Sequence, residues 1–296
     1  MLIIYQPLKT TFMNLNTIIE EIEKLDPEVY DRLNGRRSAM KKLASVGGKI
    51  ALATVPLALG SMFKKAYGQN ASMGILDVLN FALTLEYLEA EFYNEGMKAS
   101  GLIPAYFRKG FAVIQEDEKA HVKFLQDTIK ALGGMAVAKP TFDFTAGKGS
   151  NAGPFTGVFT NFDLYLAVSQ TFEDTGVRAY KGQAGNLISS NEVLRAALRI
   201  HSVEARHASH VRRVRSDNKR KPLVVGTPMP WITLDQSNIG STAVQASYNG
   251  EENTMQAGIQ IRNIGGNRIT VEDASEAFDE PLTKEQVLAI VGPFIV

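Results

Sequence analysis

Cysteine is absent from the 296 residues of this chain. Disulfide bridges, thiolate ligands, iron–sulfur clusters and a cysteine nucleophile are therefore excluded. Neither sign of charge is in excess, because the formal net charge is only +1, and no nucleic acid is predicted as a partner. Histidine is scarce as well. All four histidines lie between residues 121 and 210, so any imidazole chemistry is confined to that part of the chain.

Against this background, one pattern of four residues occurs twice. Each copy has a glutamate, a tyrosine seven residues later, and then a Glu-x-x-His pair. The residues are Glu86, Tyr93, Glu118 and His121 in the first copy, and Glu173, Tyr180, Glu204 and His207 in the second. A single Glu-x-x-His is weak evidence for a site, whereas two copies with matched spacing rarely arise by chance.

Apolar residues recur at intervals of three and four over four long stretches, which predicts four amphipathic helices. We expect these helices over residues 73–99, 104–132, 161–185 and 189–216. The fourth is predicted to open on the capping-box pattern Ser189-x-x-Glu192. The glutamates and histidines of the repeat fall in phase with the apolar stripes and are therefore expected to face the core.

A segment rich in glycine and proline separates the second and third predicted helices. It spans residues 135–160 and carries four interleaved phenylalanines, Phe142, Phe144, Phe155 and Phe159. A long connection of this kind joins the middle helices of some four-helix bundles. The predicted fold class is therefore all-α: an antiparallel four-helix bundle with a long crossover between the second and third helices.

Four carboxylates on the inner faces of four helices would repel one another, and an unpaired charge in a core is costly. Two metal cations remove that problem, and iron and manganese both accept carboxylate oxygen together with imidazole nitrogen. The predicted cofactors are therefore two iron or manganese ions. The proposed ligands are Glu118 and Glu204 as bridging carboxylates, Glu86 and Glu173 as terminal carboxylates, and His121 and His207 as nitrogen donors.

Other polar residues on the same helices are weighed against this set. Tyr93 and Tyr180 lie on the core stripe and are expected either to pack there or to hydrogen-bond to a ligand carboxylate, with redox chemistry as a further alternative. Glu89 lies near Glu86 but has no tyrosine seven residues on, and is not assigned as a ligand. His201 and His210 flank the second Glu-x-x-His and are expected outside the ligand set.

The N-terminal part carries an export signature. Arg36-Arg37 precede an apolar stretch over residues 50–63, which is too short to span a bilayer comfortably but has the length of a signal-peptide core. We predict a leader over residues 1–68 with a twin-arginine signal, and a periplasmic location. If the signal is not cleaved, residues 43–63 would anchor the protein to the membrane. The alternative is a basic turn and an apolar helix that packs on the bundle.

Three parts are thus predicted: the leader, the bundle over residues 73–216, and a C-terminal extension over residues 217–296 that packs on it. A basic run from Arg212 to Lys221 closes the fourth helix and is interpreted as a solvated face at a helix C-terminus. It is not assigned a ligand-binding role.

The extension changes in character, since proline, glycine and asparagine are frequent in it. Residues 259–264 and 268–271 are expected to form short strands. Thr283-x-x-Gln286 is expected to cap a final short helix. No residue of this extension is assigned to chemistry.

At the residues of the repeated Glu, Tyr and Glu-x-x-His pattern, the chain resembles the ferritin-like superfamily. The stretch Leu79-Asn-Phe-Ala-Leu-Thr-Leu-Glu-Tyr-Leu-Glu-Ala-Glu-Phe-Tyr93 is similar to the first helix of the exported ferritin-like domain family, which includes plant desiccation-related proteins. Glu173-Asp-Thr-Gly-Val-Arg-Ala-Tyr180 is similar to its third helix. The resemblance covers residues 73–215 and implies a di-iron carboxylate bundle without indicating a substrate.

Three functions remain open from the sequence. The first is an oxidoreductase whose di-iron or di-manganese centre reacts with O2, peroxide or Fe2+. The second is a dimanganese catalase, which uses a similar ligand set. The third is a non-catalytic exported protein of stress or desiccation protection, with a vestigial or structural metal site. The predicted partners are accordingly a small-molecule oxidant or a metal ion.

Overall fold

The computed structural model describes residues 74–218 and 223–296. The predicted leader, its Arg36-Arg37 pair, the anchor segment 43–63 and the lysines and arginine of residues 219–221 lie outside the described residues. None of the helices in the described ranges is long and apolar enough to cross a membrane.

Four long helices form the bundle, as the apolar periodicity predicted. They are α1 (Ile75–Lys98), α2 (Ala105–Ala131), α3 (Phe162–Gln183) and α4 (Asn191–Asp217). The predicted capping box at Ser189 is wrong. Ser190 is still extended and is itself the N-cap, its hydroxyl accepting from the backbone N–H of Val193, so the helix begins later.

The helices pack in two pairs, α1 along α2 and α3 along α4. The buried apolar residues form two separate clusters, one of which extends into the crossover and the C-terminal segment. On α1, Leu83 belongs to one cluster and Phe92 to the other, and Glu86 lies between them. The middle of the bundle is therefore polar, with an apolar core on each side of it.

The crossover from α2 to α3 is held by aromatic packing, as its phenylalanines predicted. Phe144 and Phe159 contact each other and Phe92 of α1, with ring centroids 5.4 to 5.5 Å apart. Phe155 stacks on Phe294 from the end of the chain, at an interplanar angle of 7°. Asn161 then caps α3 by accepting from two backbone N–H groups. The crossover thus runs along α1, which it contacts from Asn80 to Phe92.

The C-terminal residues wrap around α3. Two antiparallel strands of two residues each, β1 (Met255–Gln256) and β2 (Ile259–Gln260), form a hairpin. Two short helices follow, α5 (Val271–Ser275) and α6 (Lys284–Val291). The capping box at the start of α6 is confirmed. The expected strand over residues 268–271 is wrong, because Val271 already begins α5 behind its own N-cap.

The arginines near the end of α4 contradict the prediction of a solvated face. Arg212 and Arg215 are 1% and 0% exposed. Arg212 forms an ion pair with Asp174 on α3, and Arg215 donates to the carbonyl oxygen of Asn238 in the C-terminal segment. Arg213, between them, is exposed. The prediction failed because it took no account of the C-terminal segment, which covers this face of α4.

The same segment approaches α3 so closely that only glycine fits at residue 182. A Cβ on Gly182 would overlap the carbonyl oxygen of Leu282, whose N–H donates to the carbonyl of Arg178 over 3.1 Å. We expect Gly182→Ala to lower the free energy of unfolding by about 1–3 kcal/mol, because overpacking displaces backbone. Urea denaturation measures this. Gly292→Ala is the control, since open space surrounds a Cβ there, and an equal loss in both variants would contradict the explanation.

Candidate metal centre

The structure brings all six predicted ligands together in the polar middle of the bundle. Each helix contributes through its inward face, and the four glutamates are fully buried. The contributions are Glu86 from α1, Glu118 and His121 from α2, Glu173 from α3, and Glu204 and His207 from α4. Residues three apart on α2 and α4 project from one side of the helix, which is why each Glu-x-x-His acts as a unit.

One half of the cluster surrounds His121. Its Nδ1 atom lies 3.2 Å from Glu86 Oε2, 3.2 Å from Glu118 Oε2 and 3.1 Å from Glu204 Oε1. One donor atom from each of these four residues lies within 4.8 Å of the others. Three carboxylate oxygens and one imidazole nitrogen therefore converge on a volume the size of a metal ion.

The other half surrounds His207. Its Nδ1 atom lies 2.8 Å from Glu118 Oε1, 3.4 Å from Glu173 Oε2 and 3.6 Å from Glu204 Oε2. These four residues also bring their donor atoms within 4.8 Å of one another. The two halves thus have the same composition.

Two carboxylates belong to both halves. Glu118 turns Oε2 toward His121 and Oε1 toward His207. Glu204 does the same with Oε1 and Oε2. Glu86 and Glu173 each belong to a single half. This is the division into shared and terminal carboxylates expected from the repeat.

The two tyrosines of the repeat hydrogen-bond across the bundle. Tyr93 on α1 donates to Glu173 on α3 and contacts the Ser169 hydroxyl at 2.7 Å. Tyr180 on α3 donates to Glu86 on α1. Each tyrosine therefore holds the terminal carboxylate of the other copy. Hydrogen bonding to a carboxylate was one of the roles left open by the sequence.

Asp117 is a contact that the sequence argument missed. Its carboxylate lies 3.2 Å from Nε2 of His207 and is partly exposed. A carboxylate at this position fixes the orientation of the ring and the nitrogen that faces the cluster. Asp117 directly precedes Glu118 in the sequence, but the residue that precedes Glu204 in the second copy is Val203. A comparison of the two copies therefore does not single out Asp117. The two histidines therefore differ in their outer contacts.

Glu89 is a seventh buried carboxylate near the cluster, and it too was passed over. It lies one helical turn from Glu86 and is 3% exposed. Burial, followed by the charges of Glu204 and Glu118, raises its pKa well above the usual range. Gly176, at the matching place in the second copy, leaves room for it: a Cβ there would lie 3.2 Å from Glu89 Oε1.

The remaining histidines lie outside the cluster, as expected. His201 directs Nδ1 toward the carbonyl oxygen of Val177, 3.0 Å away. His210 packs against Gly110 and the ring of Phe111. Neither belongs to the groups of residues that could hold a metal ion.

The pKa values within the cluster show how strongly its charges interact. Burial alone lowers the pKa of His121 and of His207, but the surrounding carboxylates outweigh it and raise both far above the usual value. Burial raises the pKa of Glu173 to about 7, against the opposing effect of His207. Both imidazoles overcome the burial of Glu204 and lower its pKa to about 2. Protons on the histidines thus compensate carboxylate charge when no metal does.

The donor set fits a pair of cations. Several of its buried atoms make no hydrogen bond within the described residues, namely Glu118 Oε1, Glu173 Oε2, both carboxylate oxygens of Glu204, and His207 Nδ1. Unpaired buried carboxylate oxygens are costly. They face one another at close range without hydrogen-bond geometry, an arrangement that shared cations satisfy.

Comparison with known proteins agrees with this geometry. Residues 74–217 match the family model of the ferritin-like domain. This part of the chain is a ferritin-like domain. No curated protein matches the chain. The match begins at α1 and ends at the last residue of α4, so the buried glutamates and histidines of a potential metal site all lie inside the ferritin-like domain.

The crossed tyrosines of the ferritin-like domain lead to a prediction. We expect Tyr93→Phe and Tyr180→Phe each to weaken metal binding by about 10- to 100-fold, because a freed carboxylate loses its fixed orientation. Calorimetric titration of the metal-free chain with Mn2+ measures the change. Tyr165→Phe is a matched control, since its buried hydroxyl has no hydrogen-bond partner among the described residues. Equal losses in all three variants would show that packing, not the carboxylate contact, is responsible.

A second prediction concerns pH. In the metal-free protein the folded state binds a proton on Glu173 up to about pH 7, whereas the unfolded chain releases it near 4.5. Stability should therefore fall as pH rises between these values, by roughly 3 kcal/mol at about 1.4 kcal/mol per pKa unit. His121 and His207 act in the same direction above their ordinary pKa of 6.5, because only the folded state keeps their protons.

Thermal unfolding of the metal-free chain between about pH 5 and about pH 8 tests this, because that range brackets the usual pKa of histidine. Glu173→Gln should make the pH dependence shallower but not remove it, since the amide does not titrate while His121 and His207 still do. Metal binding should strengthen over the same range, because the metal must displace these protons. A wild-type stability that falls with pH no more steeply than that of the variant would contradict the assignment.

Proposed function

We propose that the protein is a di-metal carboxylate oxidoreductase that binds two iron or manganese ions and reacts with dioxygen or peroxide. The observation that supports this best is that two groups of three carboxylates and one histidine share Glu118 and Glu204. Shared carboxylates suit two adjacent metals, whereas a single structural metal requires only one such group. Iron and manganese fit the oxygen and nitrogen donors.

The metal pair would supply the redox chemistry: two ions that each release one electron match the reduction of O2 and two protons to H2O2, or of H2O2 and two protons to two waters. The residues of this chain supply the rest. Glu86, Glu173 and the shared pair would neutralise the cations and hold them at a fixed separation. The histidines would first have to release the protons that they carry in the metal-free state.

Two further residues would assist. Glu89 is buried one helical turn from Glu86, and burial raises the pKa of its carboxyl, so it is positioned to take up a proton near Glu204. Asp117 would keep the Nε2–H of His207 directed away from the cluster. Burial of the whole set excludes bulk water, which strengthens every electrostatic interaction inside the site.

The proposed location is the periplasm, on the basis of Arg36-Arg37 and the apolar stretch that follows. The twin-arginine route carries folded proteins, which would allow the metals to be loaded before export. Fractionation of cells that express the full chain, with Arg36-Arg37→Lys-Lys as the control, tests this part separately.

The central experiment is metal analysis combined with turnover. The full chain, purified from medium supplemented with iron and manganese, should carry about two metal ions. It should then consume O2 or decompose H2O2. A chain that holds two ions and turns over neither oxidant would overturn the catalytic proposal and favour a structural metal site. A chain that holds none would overturn both.

A further inference from the structure

An apolar cavity lies between all four helices at one end of the bundle. Its wall includes Ala82, Leu125 and Ile200, each of which is one helical turn from a ligand on the same helix. Tyr180, which donates to Glu86, also lines it. The cavity therefore adjoins the metal cluster along the axis of the bundle.

The cavity offers almost nothing to water. Three of its lining residues are polar, and each already has an internal partner. Thr128 donates to the carbonyl of Phe124, Tyr180 donates to Glu86, and Gln183 accepts from Asn186. A buried water needs two to four polar partners, so this space favours an apolar occupant.

The cavity is also small. The volume that the centre of a water-sized sphere can reach is about 20 Å³. About 10–15 Å³ on this measure accommodates a single water molecule. The occupant is therefore a molecule of very few atoms, and an extended hydrocarbon is too large for it. Phe124, which is 42% exposed, lines the cavity as well, so part of its wall lies at the protein surface.

We propose that this cavity is a binding site for dioxygen, which it holds next to the metal cluster; the proposal rests on the proposed function. Dioxygen is apolar and diatomic, matching both the lining and the volume. Peroxide, the other oxidant considered, needs hydrogen-bond partners that the lining does not provide. No bond is made or broken in the cavity, whose role is to bind and supply the oxidant.

The first test needs no metal and no turnover. Dissolved dioxygen is paramagnetic and increases the NMR relaxation of methyl groups beside it. In the metal-free full chain under dioxygen pressure, the methyl groups of Leu125 and Ile200 should relax faster than those of Val168 and Val211, which are also buried but do not line the cavity. Equal enhancement at all four residues would overturn the proposal.

A filled cavity gives the matched comparison. Ala197→Leu projects into the space from α4, and Ala179→Val does so from α3 if the first variant fails to fold. Either variant should abolish the enhancement at Leu125. Ala131→Leu, at the exposed end of α2, should leave it unchanged. Persistence of the enhancement in a folded, filled variant would overturn the assignment of the site.

The second test uses the Fe2+-loaded chain. Ala197→Leu should slow oxidation by O2 and leave both metal content and oxidation by H2O2 unchanged. An equal slowing with both oxidants would mean that the variant disturbs the metals, and the supply role would fall. If the relaxation enhancement appears but the chain takes up no metal, the proposed function fails while dioxygen binding stands. If the loaded chain is active but shows no enhancement, only the dioxygen site fails.

Discussion

Replacing either Glu118 or Glu204 with alanine should remove both of the proposed metal ions and not one. Each of these carboxylates directs one oxygen toward His121 and the other toward His207. Loss of either one therefore takes a donor from both halves of the cluster. Affinity should fall by more than about 100-fold, since loss of a mere outer contact already costs about 10- to 100-fold.

The terminal carboxylates provide the comparison. Glu86 contributes only to the half around His121, and Glu173 only to the half around His207. Alanine at either position should therefore leave one ion bound while the other is lost. Elemental analysis after dialysis, together with titration by Mn2+, distinguishes the two patterns. Glu116→Ala, at an exposed residue on α2, should leave the metal content unchanged.

Unfolding has to be separated from ligand loss. In the metal-free protein, burial and the charge of Glu204 raise the pKa of Glu118, which means that its ionised form is disfavoured there. Glu118→Gln should therefore leave the metal-free fold at least as stable as the wild type. A variant that melts normally without metal and fails to bind it has lost a ligand. Retention of two ions by Glu118→Ala would refute the bridging assignment.

The sequence sufficed to predict the six-residue cluster because the repeat preserves helical phase. Each Glu lies three positions before its His, and that spacing places both on one face wherever the helix packs. The ferritin-like fold followed from the same four stripes and the long crossover. What phase cannot give is the partner across the bundle. Tyr93 donates its hydrogen bond to Glu173 and not to Glu86 on its own helix, because of how α1 faces α3.

The wrong or missing predictions have a common physical origin, because they concern residues whose burial depends on tertiary contacts. Glu89 was passed over because it lacked a matching tyrosine, although its counterpart Gly176 gives it a place in the core. Arg212 was taken as a solvated residue because nothing in the periodicity of α4 shows that the C-terminal segment covers it. Both errors concern polar residues that are buried by parts of the chain distant in sequence.

The packing of the C-terminal segment over Arg212 leads to the largest expected effect on stability. Asp174 on α3 accepts from Arg212 on α4 and from the hydroxyl of Tyr248 in the C-terminal segment, over 2.8 Å in the latter case. Tyr248 in turn accepts from Gln170 at 3.0 Å. All of these side chains are buried. The network therefore fastens the C-terminal segment to two helices of the ferritin-like domain.

Arg212→Met should lower the free energy of unfolding by about 3–5 kcal/mol, because it leaves the Asp174 carboxylate buried without a counter-charge. The neighbouring arginine is the control: Arg213 is exposed and pairs with Asp217 one turn away, so Arg213→Met should cost about 0.5 kcal/mol or less. Denaturant unfolding measures both changes.

The double variant Asp174→Leu/Arg212→Met decides what the pair contributes. Replacing both partners of a buried ion pair with apolar residues is often close to neutral, so the double variant should recover most of the stability that Arg212→Met loses. Limited proteolysis supplies the structural readout, since the residues around Tyr248 should become cleavable in Arg212→Met and protected again in the double variant. A double variant as unstable as Arg212→Met would mean that packing of the arginine stem, and not its charge, holds the C-terminal segment in place.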